Sequence, residues 1–174
     1  FIGIAQTGTG KTMAFVIPIV QSLAQNNSLA LILVPTRELA LQVDESVAKI
    51  ARPFSMKSAV LIGGASIHDQ IRVSKQNPRI LIATPGRLID LLQQRRVHLG
   101  KVGLLVLDEA DRMLDMGFAP QIEKILKVVP SARQTMLFSA TMPSTIVHIA
   151  TSYMKFPVQV EIAPPGTSAE DVSH

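Results

Sequence analysis

The sequence Ala5-Gln6-Thr7-Gly8-Thr9-Gly10-Lys11-Thr12 decides the fold of this 174-residue chain. It follows the apolar residues 1–4 and precedes a largely apolar run over 13–20. This order predicts a strand, a glycine-rich turn and a helix whose first N–H groups converge on phosphate oxygens at the positive end of the helix dipole. A plain glycine turn between a strand and a helix is the alternative. The Gly-Lys-Thr core at such a turn favours a phosphate-binding loop (P-loop).

Two side chains of this stretch have expected chemical tasks. Lys11 would reach the β- and γ-phosphates of a nucleotide, and the Thr12 hydroxyl would ligate Mg²⁺. The usual pattern begins with glycine, whereas this chain has Ala5 there. The match is therefore to a relaxed form of the loop whose core is intact.

The composition excludes several classes of protein. An apolar share of 47% is enough for one domain with a sizeable core, and the absence of cysteine excludes a disulfide framework or a cysteine zinc site. No apolar run approaches the roughly 20 residues of a membrane span, so we expect a soluble, cytoplasmic, monomeric chain. The formal charge of +4 favours an anionic partner. Aromatic residues make up only 4%, so a nucleic-acid site would depend on backbone contacts more than on stacking.

Short apolar runs alternate with amphipathic segments along the chain. The runs are nearly continuous in hydrophobicity, which is typical of parallel strands buried on both faces. We therefore expect a doubly wound, mainly parallel α/β sheet with helices on both faces and ligands at the carboxyl ends of its strands. Strands are predicted over 1–4, 29–34, 58–62, 79–83, 103–107, 135–138 and 158–162, and helices over 11–24, 37–51, 66–75, 85–95, 118–128 and 144–153.

An acidic pair follows the predicted strand 103–107. Asp108 would hold Mg²⁺, directly or through water, and Glu109 would orient and deprotonate an attacking water. The alternative is a capped helix start, since acidic residues suit a first helical turn. The upstream Gly-Lys-Thr sequence favours the catalytic interpretation.

Four other strand ends carry polar or glycine-rich turns. Each also has a structural explanation: Thr36 and Thr84 as helix N-caps, Gly63-Gly64 as a plain turn, and Ser139 or Thr141 as a cap for the helix after Pro143. Taken together, however, the segments occur in a characteristic order. They are Pro35-Thr36-Arg37-Glu38, Gly63-Gly64, Thr84-Pro85-Gly86-Arg87 and Ser139-Ala140-Thr141.

From Ala5 to Thr141 the sequence resembles the first RecA-like domain of the DEAD-box ATP-dependent RNA helicases. The P-loop matches motif I, and the tetrapeptide Asp108-Glu109-Ala110-Asp111 is the one that names the family. The four other strand ends match, in order, motif Ia, the GG motif, motif Ib and motif III.

The resemblance implies a RecA-like P-loop NTPase fold and a site for ATP and Mg²⁺. The implied catalytic residues are Lys11, Asp108 and Glu109, with Thr12 and Asp108 at the metal. Asp111, Ser139 and Thr141 are implied to couple hydrolysis to domain closure. The implied nucleotide ligands are Ala5, Thr7, Gly8, Thr9, Gly10, Lys11 and Thr12.

The resemblance also implies that RNA is bound by its phosphates and sugars. These residue types suit such contacts, because helix N-termini, arginines and glycines can bind a phosphate backbone without contacting the bases. Arg37 could instead pair with Glu38 or Asp44, so Arg87 is the stronger candidate. The implied RNA contacts are Pro35, Thr36, Arg37, Gly63, Gly64, Thr84, Pro85, Gly86 and Arg87.

Two parts of the family pattern have no counterpart in the sequence. One is the Q motif upstream of motif I, which reads the adenine, and the other is the second RecA-like domain with its arginine fingers. We therefore expect residues 1–162 to form the ATP-binding domain, truncated at its N-terminus, and 163–174 to be a linker. The parent protein is expected to be an RNA-dependent ATPase and helicase, and this fragment to be nearly inactive alone.

Two other functions remain open at this point. One is an RNA-binding or assembly module with a vestigial ATPase, which the intact Lys11, Thr12, Asp108 and Glu109 oppose. The other is a different P-loop ATPase such as a DNA translocase, which the tetrapeptide 108–111 and the triplet 139–141 oppose.

Overall fold

Seven parallel strands form one sheet in the computed structural model, which describes residues 1–5, 11–155 and 157–161. The strand order is β3-β4-β2-β5-β6-β1-β7, and every neighbouring pair runs parallel. All seven predicted strands are confirmed, with ends that differ by a residue or so. The strands are β1 Ile2–Ile4, β2 Leu29–Leu33, β3 Ser58–Leu61, β4 Ile80–Ala83, β5 Val102–Leu107, β6 Gln134–Ser139 and β7 Gln159–Glu161.

Helices fill the segments between the strands. The six predicted helices are present, and a six-residue helix that was not predicted begins inside the acidic tetrapeptide, at Ala110. A single turn and a half is too short to show a hydrophobic period, which explains the omission. The helices are α1 Lys11–Leu23, α2 Arg37–Ala51, α3 Ile67–Ser74, α4 Pro85–Gln93, α5 Ala110–Asp115, α6 Ala119–Val128 and α7 Ser144–Tyr153, with a 3-10 turn at Arg52–Phe54.

The sheet separates two hydrophobic cores. Successive residues of each central strand alternate between them, so that in β2 Leu31 belongs to one core and Ile32 to the other. Helices α1 and α2 cover one face, and α4 to α7 cover the other. Burial on both faces explains why the strands read as continuous apolar runs. No helix in the described part of the chain combines the length and the apolar character needed to cross a membrane.

Backbone hydrogen bonds continue the parallel pairing just beyond the strand ends. Ala5 donates to the Ser139 carbonyl at 3.1 Å, and Asp108 donates to the Leu33 carbonyl at 2.9 Å. Likewise, Thr84 donates to the Leu61 carbonyl at 3.1 Å. The segments singled out in the sequence therefore lie along one edge of the sheet.

Gly3 of β1 lies against an aromatic ring. A Cβ atom at this position would sit 2.7 and 2.8 Å from two ring carbons of Phe138. That ring is buried, with ring centroids 5.8 Å from Phe1 and 5.4 Å from Phe15. A methyl group at residue 3 must therefore displace a ring that is packed between two others.

We expect Gly3→Ala to lower the free energy of unfolding by about 1–3 kcal/mol, the usual cost of overpacking a core. Urea unfolding measures the loss. Gly100→Ala is the matched control, since nothing lies within 4 Å of its added Cβ. Gly3→Ala should cost less in a Phe138→Leu background than in wild type, because the smaller side chain relieves the clash. Equal losses at the two glycines would contradict the packing argument.

Candidate functional site

Three charged side chains meet at the carboxyl ends of β1 and β5. The Lys11 Nζ lies 3.1 Å from Asp108 Oδ1 and 3.9 Å from Glu109 Oε1. All three residues are buried, and Asp108 completely so. The structure thus brings together the three residues predicted to be catalytic, although 97 positions separate Lys11 from Asp108.

The local backbone explains how both carboxylates reach the lysine. Asp108 follows β5 directly, and Glu109 adopts φ 52° and ψ 51°, in the left-handed region. Side-chain-bearing residues rarely adopt that region, and such outliers concentrate at functional sites. Strand β5 ends and α5 starts within two residues, so the acidic pair is held on a sharp bend.

Burial governs the electrostatics of Asp108. It raises the pKa of this carboxyl above its ordinary value, while the Lys11 ammonium opposes the rise and Glu109 adds to it. Asp108 Oδ1 faces the Lys11 ammonium, whereas Oδ2 has no hydrogen-bond partner within the described ranges. A buried carboxylate with spare acceptor capacity is costly unless a cation uses it.

These features fit Mg²⁺. The ion takes oxygen ligands and is usually held by one or two carboxylates together with substrate phosphates and water. Residues 1–5, 11–155 and 157–161 hold no group of three or more acidic or histidine side chains placed for a metal, so a dedicated protein cage is not built there. Asp108 and the Thr12 hydroxyl, one residue beyond Lys11 on α1, could supply two oxygens. The predicted phosphate ligands Thr7, Gly8, Thr9 and Gly10 lie outside the described residues.

Arg112 is a charged neighbour that sequence reasoning missed. Its Nη1 lies 3.3 Å from Glu109 Oε2, from the next turn of α5. Glu109 therefore has cations on both sides, since Lys11 faces its other oxygen. The i, i+3 spacing of an acid and an arginine just after a strand is the sequence signal that could have identified this pair.

The three residues predicted to couple hydrolysis to domain closure are hydrogen-bonded to one another. The Thr141 hydroxyl donates to Asp111 Oδ2 at 3.0 Å, and the buried Ser139 hydroxyl donates to the Thr141 carbonyl at 2.6 Å. The proposed role of Ser139 or Thr141 as a cap for α7 is wrong, because Pro143 occupies that N-cap position and no side chain caps the helix. Their polar groups instead join the end of β6 to the start of α5.

In the turns predicted to contact RNA, some polar groups are used in hydrogen bonds within the protein and others are free to bind a ligand. The Thr36 side chain caps α2 by accepting from Leu39 N at 3.2 Å, as the structural alternative predicted. Thr84 occupies the N-cap position of α4, but its side chain makes no cap hydrogen bond there. Gly64 has φ +75°, which glycine adopts without strain, and open space faces a Cβ built on Gly63 or Gly86. Backbone groups at Gly63 and Gly86 are therefore approachable.

The turn at residues 62–65, which contains Gly63 and Gly64 and is called the glycine turn below, is held by two arginines. One is the first residue of α2 and the other lies in the first turn of α4. Arg37 Nη1 donates to the Gly64 carbonyl at 3.2 Å, and Arg87 Nη1 donates to the Ala65 carbonyl at 3.1 Å. The alternative pairing of Arg37 with Glu38 or Asp44 does not occur among the ion pairs of the described residues. The predicted RNA-binding segments thus form one hydrogen-bonded unit.

Gln70 completes this unit and was not identified from the sequence. Its Oε1 accepts from Arg87 Nη1 at 2.9 Å, and its amide also bonds the backbone of Ile62. Gln70 is a polar residue on the apolar side of α3, between Ile67 and Ile71. That interruption of an apolar face is the signal that could have revealed it.

Comparison with known proteins identifies relatives over nearly the whole chain. The family model for the DEAD/DEAH box helicases matches residues 1–149. The DEAD-box ATP-dependent RNA helicase RhpA of Helicobacter pylori is 44% identical over 170 residues, which are 97% of this chain and 35% of that protein. CshA of Bacillus subtilis, also a DEAD-box ATP-dependent RNA helicase, is 49% identical over 163 residues, 92% of this chain and 33% of the relative. The chain therefore spans about a third of the length of these curated relatives.

Solved structures agree with the sequence relatives. The yeast DEAD-box splicing factor Prp28 superposes with a TM-score of 0.90 at 38% identity, covering 97% of this chain and 42% of that one. A hypothetical ATP-dependent RNA helicase from Sulfolobus tokodaii gives a TM-score of 0.86 at 37% identity, covering 92% and 47%. The RecA-like fold expected from the sequence is confirmed.

The raised pKa of Asp108 predicts how stability depends on pH. The folded protein holds the Asp108 carboxyl proton more tightly than the unfolded chain does. The contribution of this proton to the free energy of unfolding is therefore greatest below the pKa of the unfolded state, and it is lost as pH rises through the pKa of the folded state. The side chain of Asp108→Asn does not titrate, so it lacks this contribution at every pH. In nucleotide- and magnesium-free protein, the stability of Asp108→Asn relative to wild type should therefore increase as pH rises above about 4, by at most about 1.4 kcal/mol per pH unit.

Urea unfolding at several pH values measures this trend. Asp115→Asn is the matched control for the change of charge, because Asp115 is an exposed aspartate at the end of α5. A decrease in the stability of Asp108→Asn relative to wild type as pH rises would show that attraction to Lys11 outweighs burial.

Proposed function

The chain belongs to the DEAD/DEAH box helicase family, and we propose that it is the ATP- and RNA-binding domain of an RNA-dependent ATPase that remodels RNA duplexes by ATP-driven domain closure. The observation that carries this proposal is the buried cluster of Lys11, Asp108 and Glu109 beside the hydrogen-bonded unit of Arg37, Arg87 and the glycine turn. The first group suits phosphoryl transfer, and the second suits a phosphate backbone.

Lys11 is suited to serve ATP. Its ammonium is a point charge with three donors, so it can contact phosphate oxygens while remaining close to the Asp108 carboxylate. Helix α1 begins at Lys11, and its positive end supports the same negative charge. Binding of the triphosphate would thus draw on the lysine and on the helix start together, with Ala5 and the loop 6–10 completing the site.

Asp108 and Thr12 would hold Mg²⁺. When bound with the nucleotide, the ion neutralises charge that develops on the β- and γ-phosphates. The Asp108 carboxylate is buried, and its Oδ2 has no hydrogen-bond partner within the described ranges, so that oxygen is available as an acceptor for this purpose.

Glu109 is the proposed base. An attacking water would bind to its carboxylate, lose a proton to it and add to the γ-phosphorus as the bond to the β-phosphate oxygen breaks. Arg112 and Lys11 approach its two oxygens, and the left-handed backbone fixes its direction, so the carboxylate is oriented before the substrate arrives. Orientation of this kind is a large part of enzymatic rate enhancement.

RNA recognition would proceed through the sugar-phosphate backbone. The unit made by α2, the glycine turn and α4 offers helix N-termini, exposed glycine backbone and two arginines, none of which reads bases. Binding should therefore tolerate sequence and weaken with salt, with RNA distinguished from DNA by its 2′-hydroxyls.

We expect a second RecA-like domain to complete the ATPase site and the RNA-binding surface. The curated relatives are about three times as long as this chain, which leaves room for such a domain. We assign residues 1–162 to the ATP-binding domain and 163–174 to a linker, with Asp111, Ser139 and Thr141 coupling hydrolysis to closure against the partner domain. An arginine from that domain would be worth roughly 10³ to 10⁵ in rate, so the isolated chain should hydrolyse ATP poorly. We also propose that it acts in the cytoplasm and is itself monomeric.

Glu109→Gln tests the enzymatic part of the proposal. In the full-length protein that contains this chain, we expect RNA to stimulate ATP turnover and the substitution to reduce stimulated turnover by about 10²- to 10⁴-fold, because the base is lost while the shape is kept. Phosphate release with and without RNA measures both. Glu123→Gln is the control, since Glu123 is a more exposed carboxylate on α6 that pairs with His148 of α7. Turnover that ignores RNA, or survives Glu109→Gln, would favour an assembly module with a vestigial ATPase.

Arg87→Ala tests the RNA-binding part. In the same full-length protein, the variant should bind single-stranded RNA more weakly and with a salt slope smaller by about 1, while its affinity for ATP stays nearly intact. Arg96→Ala removes the same charge just beyond the other end of α4 and is the matched control. Equal losses of RNA and nucleotide affinity would show that Arg87 supports the fold alone.

A further inference from the structure

The side chain of Gln70 is a buried polar group in the RNA-binding half of the domain. It lies on α3 with only 7% of its surface exposed, although glutamine is usually found at the surface. Three hydrogen bonds satisfy its amide: Ile62 N donates to Oε1 at 3.2 Å, Nε2 donates to the Ile62 carbonyl at 2.8 Å, and Arg87 Nη1 donates to Oε1 at 2.9 Å. The residue therefore connects the end of one strand with the first turn of α4.

The position of Ile62 explains why an amide is needed there. Strand β3 is at the edge of the sheet and pairs only with β4 in the described part of the chain. Ile62 follows its last residue, and the Ile62 N–H and carbonyl face away from β4. A carboxamide offers one donor and one acceptor in the same plane, so Gln70 replaces the strand that is missing on that side. Without it, two buried backbone groups would lose their partners.

The second acceptor site of Oε1 orients Arg87. The same Nη1 that donates to Gln70 also donates to the Ala65 carbonyl at 3.1 Å. Gln70 therefore fixes the glycine turn at two points: directly at Ile62, and at Ala65 through the arginine. Since Arg37 donates to Gly64 from α2, all three predicted RNA-binding segments are joined through this turn.

We infer that Gln70 is a positioning residue for RNA, which holds Arg87 and the turn 62–65 in the arrangement that binds the phosphate backbone. This inference rests on the proposed function and adds to it a residue outside the recognised motifs. Gln70 itself need not touch RNA, because its amide is fully used inside the protein.

The location of Gln70 separates this role from nucleotide binding. Strand β3 is three strand spacings from β5 and five from β1, or about 14 Å and about 24 Å across the sheet. A local change at Gln70 should therefore alter the RNA-binding half and leave the cluster around Lys11 in place.

Gln70→Met tests the inference in the full-length protein. Methionine has a similar length and flexibility but cannot make these hydrogen bonds. We expect the dissociation constant for single-stranded RNA to rise roughly tenfold, with the nucleotide constant within about twofold of wild type. Fluorescence titrations at a temperature where unfolding experiments show both proteins to be folded measure the two constants. Gln76→Met, at an exposed glutamine just beyond α3, is the matched control.

A double-mutant cycle separates positioning from simple destabilisation. If Gln70 acts through Arg87, Gln70→Met should weaken RNA binding clearly less in the Arg87→Ala background than in wild type, because the contact with Arg87 is already lost and only the anchor at Ile62 remains. Equal effects of Gln70→Met in both backgrounds would overturn the inference. So would a folded Gln70→Met protein with the RNA affinity of wild type.

Arg87→Lys provides the test if Gln70→Met fails to fold. Lysine keeps the charge but lacks the guanidinium fork that reaches Gln70 and Ala65, so it should bind RNA nearly as weakly as Arg87→Ala does. Wild-type affinity in Arg87→Lys would show that charge alone is sufficient and would refute the positioning role. If the wild-type protein itself binds no RNA, the proposed function fails, and the two failures are thereby distinguished.

Discussion

Parallel pairing is the constraint on which every candidate functional residue depends. Since all seven strands run the same way, their carboxyl ends meet at one edge, and backbone hydrogen bonds such as Asp108 N to Leu33 O carry the alignment past the strand ends. Lys11 and Asp108 become neighbours through this alignment and not through any local sequence preference. The alignment in turn depends on two separate cores, because a strand that is buried on both faces cannot slip by one residue without exchanging the side chains of the two cores.

The cluster at Lys11 contains a buried carboxylate, Asp108, that is unfavourable for stability. Complete burial of Asp108 disfavours its charge, as the direction of its pKa shift indicates, and the lysine offsets only part of that cost. Buried ion pairs of this kind often contribute little net stability. The left-handed backbone at Glu109 is a second local cost at the same place. Two unfavourable features at adjacent residues are typical of a site shaped by function, where the surrounding sheet supplies the stability.

The sequence predicted the elements well and the contacts between turns poorly, for a physical reason. Strands and helices follow from periodicity, which is local, so the seven strands and the six longer helices could be placed from residues alone. The helix at 110–115 is too short for a period, and the partnerships of Gln70 and Arg112 depend on which turns meet in three dimensions. Arg37 illustrates the difference: its sequence offered Glu38 and Asp44 as partners, whereas the fold brought it to the Gly64 carbonyl, 27 positions away. Roles carried by the loop 6–10 remain predictions.

The strand order divides the edge of the sheet into two halves. Strands β3, β4 and β2 end in the segments assigned to RNA, whereas β5, β6 and β1 end in those assigned to ATP and to coupling. Along the chain β2, β3 and β4 are consecutive, whereas β1 is separated from β5 and β6 by all three of them. Only the sheet topology brings the strands of the ATP half together. The halves meet where β2 pairs with β5, and there the Asp108 N–H bonds the Leu33 carbonyl, two residues before the start of the segment 35–38. A displacement of the acidic pair on nucleotide binding would therefore be transmitted first to the end of β2 and to Arg37, and through the Gly64 carbonyl to the glycine turn. The structural link between the half assigned to ATP and the half assigned to RNA is thus one strand pairing and two hydrogen bonds long.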